Sequence, residues 1–142
     1  MAPPSRMTTD ESLGRFGLVP EDASLDEVRA LLEQEAEAER TGRPRVEDLA
    51  LLSCVQLFSR GKLEDVLRIW RAKRSGFDLG CYLDVQLLCG AGLEATKQFR
   101  SADTGCEARE ALDYIVSCEA TGDFDGFTAE DHLQDYRRYF GV

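Results

Sequence analysis

The chain has 142 residues, of which 43% are apolar, a formal net charge of −10 and an isoelectric point of about 4.6. This length and apolar fraction suit a single globular domain that needs neither disulfides nor metal to build its core. So acidic a chain repels phosphate backbones and anionic lipid headgroups, which disfavours nucleic acid and membrane surfaces as partners. A basic partner protein, or solubility alone, remains as the reason for the charge.

The cysteine content and the N-terminus bear on location and domain organisation. Five cysteines are an odd number, none form a C-x-x-C pair, and most occupy positions in the apolar pattern. Free cysteines of this kind behave as small hydrophobic residues, so we predict a reducing, cytoplasmic location. Residues 1–13 are polar and lack the apolar segment of a secretory signal. We predict that residues 1–13 form a flexible tail and that residues 14–142 form one α-helical domain.

Apolar residues recur at helical spacing in at least five segments of the chain. The first predicted helix begins at Ser24, because Ser24 and Glu27 have the spacing of a capping box, and it ends before Pro44. The second covers residues 46–59, which are apolar around almost the whole circumference. A helix of that kind is buried on several sides, so we predict that it is the central helix of the domain.

The third predicted helix covers residues 62–74 and places Trp70 on its apolar stripe, which indicates a core residue. Residues 81–89 alternate as in a β-strand, and periodicity alone leaves strand and helix open. Similarity to the segment that begins at Val55 favours helix. Further helices are predicted over residues 93–102 and 107–120, and a last one after Thr128, whose spacing to Asp131 resembles a weaker capping box.

Two segments, 55–70 and 85–100, are similar under a shift of 30 residues. A shift of 31 produces a third, weaker copy in residues 114–124. Each copy reads as a helix, a turn near glycine and a second helix, which predicts an all-α fold of stacked antiparallel hairpins with a degenerate repeat of about 30 residues. Chance self-similarity within a helical protein is the alternative. The ankyrin and tetratricopeptide signatures are missing, so neither family is indicated.

The sequence provides little for catalysis or metal binding. The loop 121–132 has Asp123 and Asp125 at calcium-loop spacing, but it lacks the first aspartate and the final glutamate of an EF-hand. His132 is the only histidine, and we expect it at the solvent edge of the last helix. No zinc-ligand spacing and no phosphate-binding glycine loop is present. We therefore predict no catalytic residue, no cofactor and no metal site.

The charges are distributed unevenly along the chain. Residues 60–74 carry six cations and two acids, whereas residues 107–135 carry nine acids and one arginine. Opposite poles of this kind steer partners or favour self-association, and pairing of the poles within the chain is the alternative. The candidate partner-binding residues are Arg68, Arg71 and Arg74 at the basic pole and Asp123, Asp125 and Asp131 at the acidic pole.

Three functions remain open from the sequence. The first is a non-enzymatic helical interaction module, such as an adaptor, antitoxin or immunity-type protein that masks a basic partner with its acidic surface. The second is a small enzyme or enzyme subunit with a pocket between hairpins, which convergent carboxylates or a cysteine–histidine pair would indicate. The third is a structural homodimer whose partner subunit covers the apolar stripe of residues 25–32.

Overall fold

A computed structural model describes residues 6–102 and 105–142. Within these ranges the chain is helical and contains no β-strand, so the predicted all-α class is confirmed. Short 3-10 helices occur at Asp22–Ser24, Leu63–Asp65 and Val85–Cys89. Across the described part of the chain, no helix combines the length and the hydropathy that a membrane span requires. The α-helices are α1 (Thr9–Phe16), α2 (Leu25–Arg40), α3 (Leu49–Arg60), α4 (Val66–Lys73), α5 (Phe77–Tyr82), α6 (Leu93–Ala102), α7 (Cys106–Ala120) and α8 (Ala129–Phe140).

Helix α3 is the centre of the fold. Every residue from Leu49 to Phe58 is buried, which confirms the prediction of a helix that is apolar and covered on all sides. It packs against α1, α2, α8 and the 3-10 helix Val85–Cys89. Trp70 of α4 is also buried, as its place on the apolar stripe predicted.

Helix α2 uses its apolar stripe inside the chain. Leu25, Val28 and Leu32 are buried, and α2 packs along α3 and α4. The predicted homodimer surface over residues 25–32 is therefore wrong, because these side chains already have an intramolecular cover. The predicted capping box is also wrong: Ser24 has helical dihedral angles at the end of a 3-10 helix, and its hydroxyl makes no capping hydrogen bond.

The N-terminal segment requires a correction. Thr8 and Glu11 form a capping box at the start of α1, which lies against α3. Ser12 is buried in this contact, and Gln56 donates a hydrogen bond of 2.8 Å to the carbonyl of Gly17. The expectation of a tail over residues 1–13 therefore does not hold from Thr8 onward, and residues 1–5 lie outside the described residues.

Arg6 ties this segment to α2. Its guanidinium lies 2.5 Å from the carboxylate of Glu35, which is completely buried and also accepts a hydrogen bond from the amide of Val46. Arg6 donates a second hydrogen bond to the carbonyl of Pro44. A buried carboxylate is stable only when it is paired and hydrogen-bonded, so these contacts hold the α2–α3 connection and the N-terminus together.

The two similar segments meet at their glycines. Gly61 ends α3 with a φ of +62°, and a β-carbon on it would lie 3.0 Å from the carbonyl oxygen of Gly90. A β-carbon on Gly90 would lie 2.4 Å from the carbonyl oxygen of Phe58, so only glycine fits there. The predicted helix over residues 81–89 is interrupted: α5 ends at Tyr82, Leu83 and Asp84 are extended, and Val85–Cys89 form a 3-10 helix. No β-strand forms in this segment.

The central position of α3 predicts a large effect of truncating one of its side chains. Leu52 has 0% of its surface exposed, so Leu52→Ala should lower the free energy of unfolding by about 2–5 kcal/mol. Glu37→Ala on α2 removes only an exposed ion pair with Arg40 and should change it by about 0.5 kcal/mol or less. Urea unfolding followed by circular dichroism compares the two variants. Equal shifts of the midpoint would contradict the central position of α3.

Candidate functional site

The acidic residues named from the sequence converge at the connection between α7 and α8. Asp123 and Asp125 lie in the turn that follows α7, and Asp131 lies in the first turn of α8. The hydroxyl of Thr128 accepts a hydrogen bond of 3.1 Å from the amide of Asp131, which is one of the two hydrogen bonds of the predicted capping box. Gln86 donates a 2.7 Å hydrogen bond to the backbone carbonyl of Asp123 and fixes the turn to the body.

These aspartates border one surface depression of about 180 Å³, called here the acidic depression. Asp135 and His132 complete its charged and titratable lining. All four aspartates are exposed. Asp135 pairs with Arg138, whereas no described lysine, arginine or histidine forms an ion pair with Asp123, Asp125 or Asp131. The depression therefore presents three carboxylates that form no ion pair with any described residue.

The basic residues named from the sequence are placed differently. Arg71 forms a bidentate pair with Glu107 of α7 at 2.6 and 2.8 Å, because α4 and α7 pack side by side. Arg68 lies 3.0 Å from the Asp65 carboxylate. Arg74 lies 3.9 Å from Glu110 and 5.4 Å from the centre of the Trp70 ring system. All three candidate arginines therefore have acidic partners within the chain, and the structure does not bring them to the acidic depression.

A buried ion pair between α2 and the 3-10 helix Leu63–Asp65 was not predicted. Asp65 is 1% exposed and accepts two hydrogen bonds from Arg29, at 2.8 and 3.0 Å. These hydrogen bonds raise the pKa of the Arg29 guanidinium. Local sequence carried no signal for the pair, because its members are 36 residues apart.

His132 is not at the solvent edge, which corrects the expectation from the sequence. Its side chain is 18% exposed and its ring packs edge-on against the rings of Phe58, Phe127 and Tyr136. The Nε2 atom lies 3.3 Å from a carboxylate oxygen of Asp84, and the hydroxyl of Tyr136 donates to the other oxygen. Burial, followed by this hydrogen bond, raises the pKa of Tyr136. Asp84 thus joins α8 to the body.

A second depression of about 670 Å³ adjoins the first, and we call it the turn–helix groove. It lies between the turn Gly90–Gly92 and the start of α8, and it shares Thr128 and Asp131 with the acidic depression. Its apolar lining includes Phe58, Ala91, Ala129 and Leu133, and its charged residues are Glu130 and Asp131. No cation lines it.

A third depression of about 730 Å³ lies beside the α2–α3 connection. Its lining has charges of both signs, including Arg43, Arg45 and Asp48. Asp48 has a φ of +61° and accepts hydrogen bonds from the hydroxyls of Tyr82 and Tyr139. This contact holds the C-terminal half of α8 against the start of α3. Since its three residues are far apart in sequence, the pattern of the chain did not indicate it.

Burial shifts the pKa values of two thiols and of one lysine towards their neutral forms. Cys54 and Cys89 are buried, and burial raises the pKa of both thiols, that of Cys89 to about 12. Lys73 donates hydrogen bonds to the carbonyls of Gly80 and Leu83, and burial lowers its pKa. Its ammonium group therefore caps the end of α5. Over residues 6–102 and 105–142, no three His, Cys, Asp or Glu side chains are grouped to hold a metal ion.

The burial of the thiols predicts two classes of reactivity. With a pKa of about 12, only about one Cys89 in ten thousand is ionised at pH 8, and the thiolate is the reactive form. Cys81 and Cys106 are exposed and should react with Ellman's reagent in the folded protein, whereas Cys54 and Cys89 should react only in guanidinium. A Cys81→Ser/Cys106→Ser variant should lose the fast phase. Rapid modification of Cys54 or Cys89 in that folded variant would contradict the packing of the core.

No protein-family model, curated protein or solved structure matches this chain. No relative therefore contributes a function by similarity. The charges, contacts and cavities described above are the basis on which a function can be proposed.

Proposed function

We propose that the chain is a non-enzymatic helical interaction module that binds a basic protein partner through its acidic depression. The observation that carries the proposal is the convergence of Asp123, Asp125, Asp131 and Asp135 around one depression, where the first three form no ion pair within residues 6–102 and 105–142. Exposed carboxylates that no cation neutralises attract basic surfaces over long range and speed up encounter. Adaptor, antitoxin and immunity-type roles fit a surface that masks a basic partner.

The contrast between the two poles supports this choice of surface. The basic pole is paired with the chain's own acids: Arg71 with Glu107 and Arg68 with Asp65. The alternative of intramolecular pairing thus accounts for the arginines, whereas it does not account for the aspartates of the acidic depression. With a net charge of −10, the field of the whole chain acts in the same direction as this depression.

The enzyme alternative called for convergent carboxylates or a cysteine beside histidine. The acidic depression does combine four carboxylates with His132. However, its volume of about 180 Å³ is below the roughly 300 Å³ at which ligand pockets begin. Its carboxylates are exposed, where water screens the effects that tune catalytic acids and bases. The geometry therefore supports a contact surface more strongly than a catalytic pocket.

Two further features belong to the proposal. We propose that the helices are stacked antiparallel hairpins with a degenerate repeat, which the backbone contact between Gly61 and Gly90 supports. We also propose a cytoplasmic location, supported by five cysteines that are all free. A homodimer, if one forms, would use a surface other than the buried stripe of α2.

Neutralising the acidic depression should slow association with the partner. The variant Asp123→Asn/Asp125→Asn/Asp131→Asn should reduce the association rate constant about tenfold at low salt, with a smaller change in dissociation. The partner would first be captured from an extract of the source cells on the immobilised chain and identified by mass spectrometry. Stopped-flow measurements at low and physiological salt would then compare the variants, since steering is screened within about 8 Å at the higher salt.

A matched control removes the same charge elsewhere. Asp10, Glu21 and Asp78 are exposed and have no ion pair in the described structure, so Asp10→Asn/Glu21→Gln/Asp78→Asn changes the net charge equally. This control should affect the rate much less. Equal association rate constants for the two triple variants would contradict the proposed binding surface. The charge asymmetry would then serve only solvation. Circular dichroism would verify that both variants are folded.

A further inference from the structure

The turn–helix groove has a composition that the acidic depression lacks. Phe58, Ala91, Ala129 and Leu133 provide apolar lining, while Glu130 and Asp131 are the only charged residues in the lining. Its volume of about 670 Å³ falls within the range of roughly 300–1,000 Å³ that occupied pockets have. Covering an apolar floor with another apolar group is favourable because it removes apolar surface from water. An acidic border favours a cation at the edge.

We propose that the turn–helix groove receives an apolar side chain of the basic partner, carried between lysines or arginines that meet Glu130 and Asp131. This inference rests on the proposed function and specifies the chemistry of the partner segment. The acidic depression would attract the segment, and the groove would select those segments that carry an apolar residue among their cations. Electrostatics would then set the association rate, and the groove would set the lifetime of the complex.

The backbone around the groove suits this occupant. Gly92 has a φ of +97°, and a β-carbon on it would meet nothing within 4 Å, so this side of the groove is open. Gly90 packs directly on the backbone of Phe58, which brings the turn close to α3 and keeps the floor in place. The groove is therefore open at the turn and closed by α3 beneath.

The charges at the start of α8 argue against an anionic occupant. A helix N-terminus attracts anions through its unpaired amide groups. Here the hydroxyl of Thr128 accepts the hydrogen bond of the Asp131 amide, and the carboxylates of Glu130 and Asp131 already occupy the first turn. A phosphate or a carboxylate ligand would meet two like charges, whereas a lysine or arginine side chain would meet opposite ones.

The test uses two peptides that differ at one residue. The first is Gly-Ser-Lys-Lys-Leu-Lys-Lys-Ser-Gly, and the second has serine in place of leucine. Each would be titrated into the full chain labelled with ¹⁵N, and amide shifts would be followed by NMR. The leucine peptide should bind about tenfold more tightly, because leucine buries apolar surface on the floor of the groove and serine does not. The extra shift changes should centre on Gly90, Gly92 and Leu133.

Variants test the same groove from the side of the protein. Ala91 is exposed at the edge of the groove. Ala91→Arg adds bulk and a positive charge that repels the lysines of the peptide, so it should lower the affinity for the leucine peptide about tenfold. Ala30→Arg places the same residue on the exposed face of α2, away from the groove lining, and should have little effect. If Ala91→Arg does not fold, the comparison of the two peptides on the unaltered chain still decides.

The remaining outcomes separate this inference from the proposed function. Equal affinity of the two peptides, with both weakened by Asp123→Asn/Asp125→Asn/Asp131→Asn, overturns the groove and retains the acidic surface. Affinities that are independent of those aspartates overturn both. Shift changes centred on the depression that Arg43 lines would also contradict binding in the groove. So would dimerisation of the peptide-free chain, if it shifts the amides of Gly90, Gly92 and Leu133.

Discussion

The burial of α3 on every side is the constraint on which the fold depends. Its residues from Leu49 to Phe58 leave no face for water, so the chain has to surround the helix with other elements. Helices α1, α2 and α8 and the 3-10 helix Val85–Cys89 pack against it. Because α8 covers part of α3, the acidic turn before α8 is held at a defined place on the surface. The candidate site is thus a consequence of how the core is covered.

Buried polar groups then decide how these elements are joined. Glu35, Asp65 and Lys73 are all buried. Glu35 pairs with Arg6 of the N-terminal segment, Asp65 pairs with Arg29 of α2, and Lys73 donates to the carbonyl of Gly80 in α5. An unpaired charge in such a place is costly, so these contacts restrict the elements to one arrangement. Asp84 and Asp48 do the same at the surface, where they bind tyrosines of α8. With the contact between His132 and Asp84, these hydrogen bonds hold α8 from His132 to Tyr139.

The functional argument follows from which charges the fold uses. Packing of α4 against α7 pairs Arg71 with Glu107 and brings Arg74 to 3.9 Å from Glu110, while Arg68 pairs with Asp65 of the preceding 3-10 helix. Among the described residues, none forms an ion pair with Asp123, Asp125 or Asp131. An acidic surface next to a groove with an apolar floor matches a basic segment that carries an apolar residue. Affinity for such a segment depends on the apolar contact, and its rate of capture depends on the charge.

Local interactions made part of this structure predictable from the sequence. The all-α class, the burial of α3 and Trp70 and the cap at Thr128 depend on residues within one or two helical turns of each other, and their periodicity is visible in the chain. The three candidate aspartates lie within nine residues, so their convergence was also open to prediction. What only the tertiary structure decided was the pairing of charges and the surroundings of His132. Arg71 and Glu107 are 36 residues apart and His132 and Asp84 are 48 apart, and only packing around α3 brings such groups together. Helix α1 was missed although Thr8 and Glu11 have the local spacing of a capping box. Its buried residues, Ser12 and Phe16, are too few to form a clear apolar stripe, and their burial comes from the contact with α3.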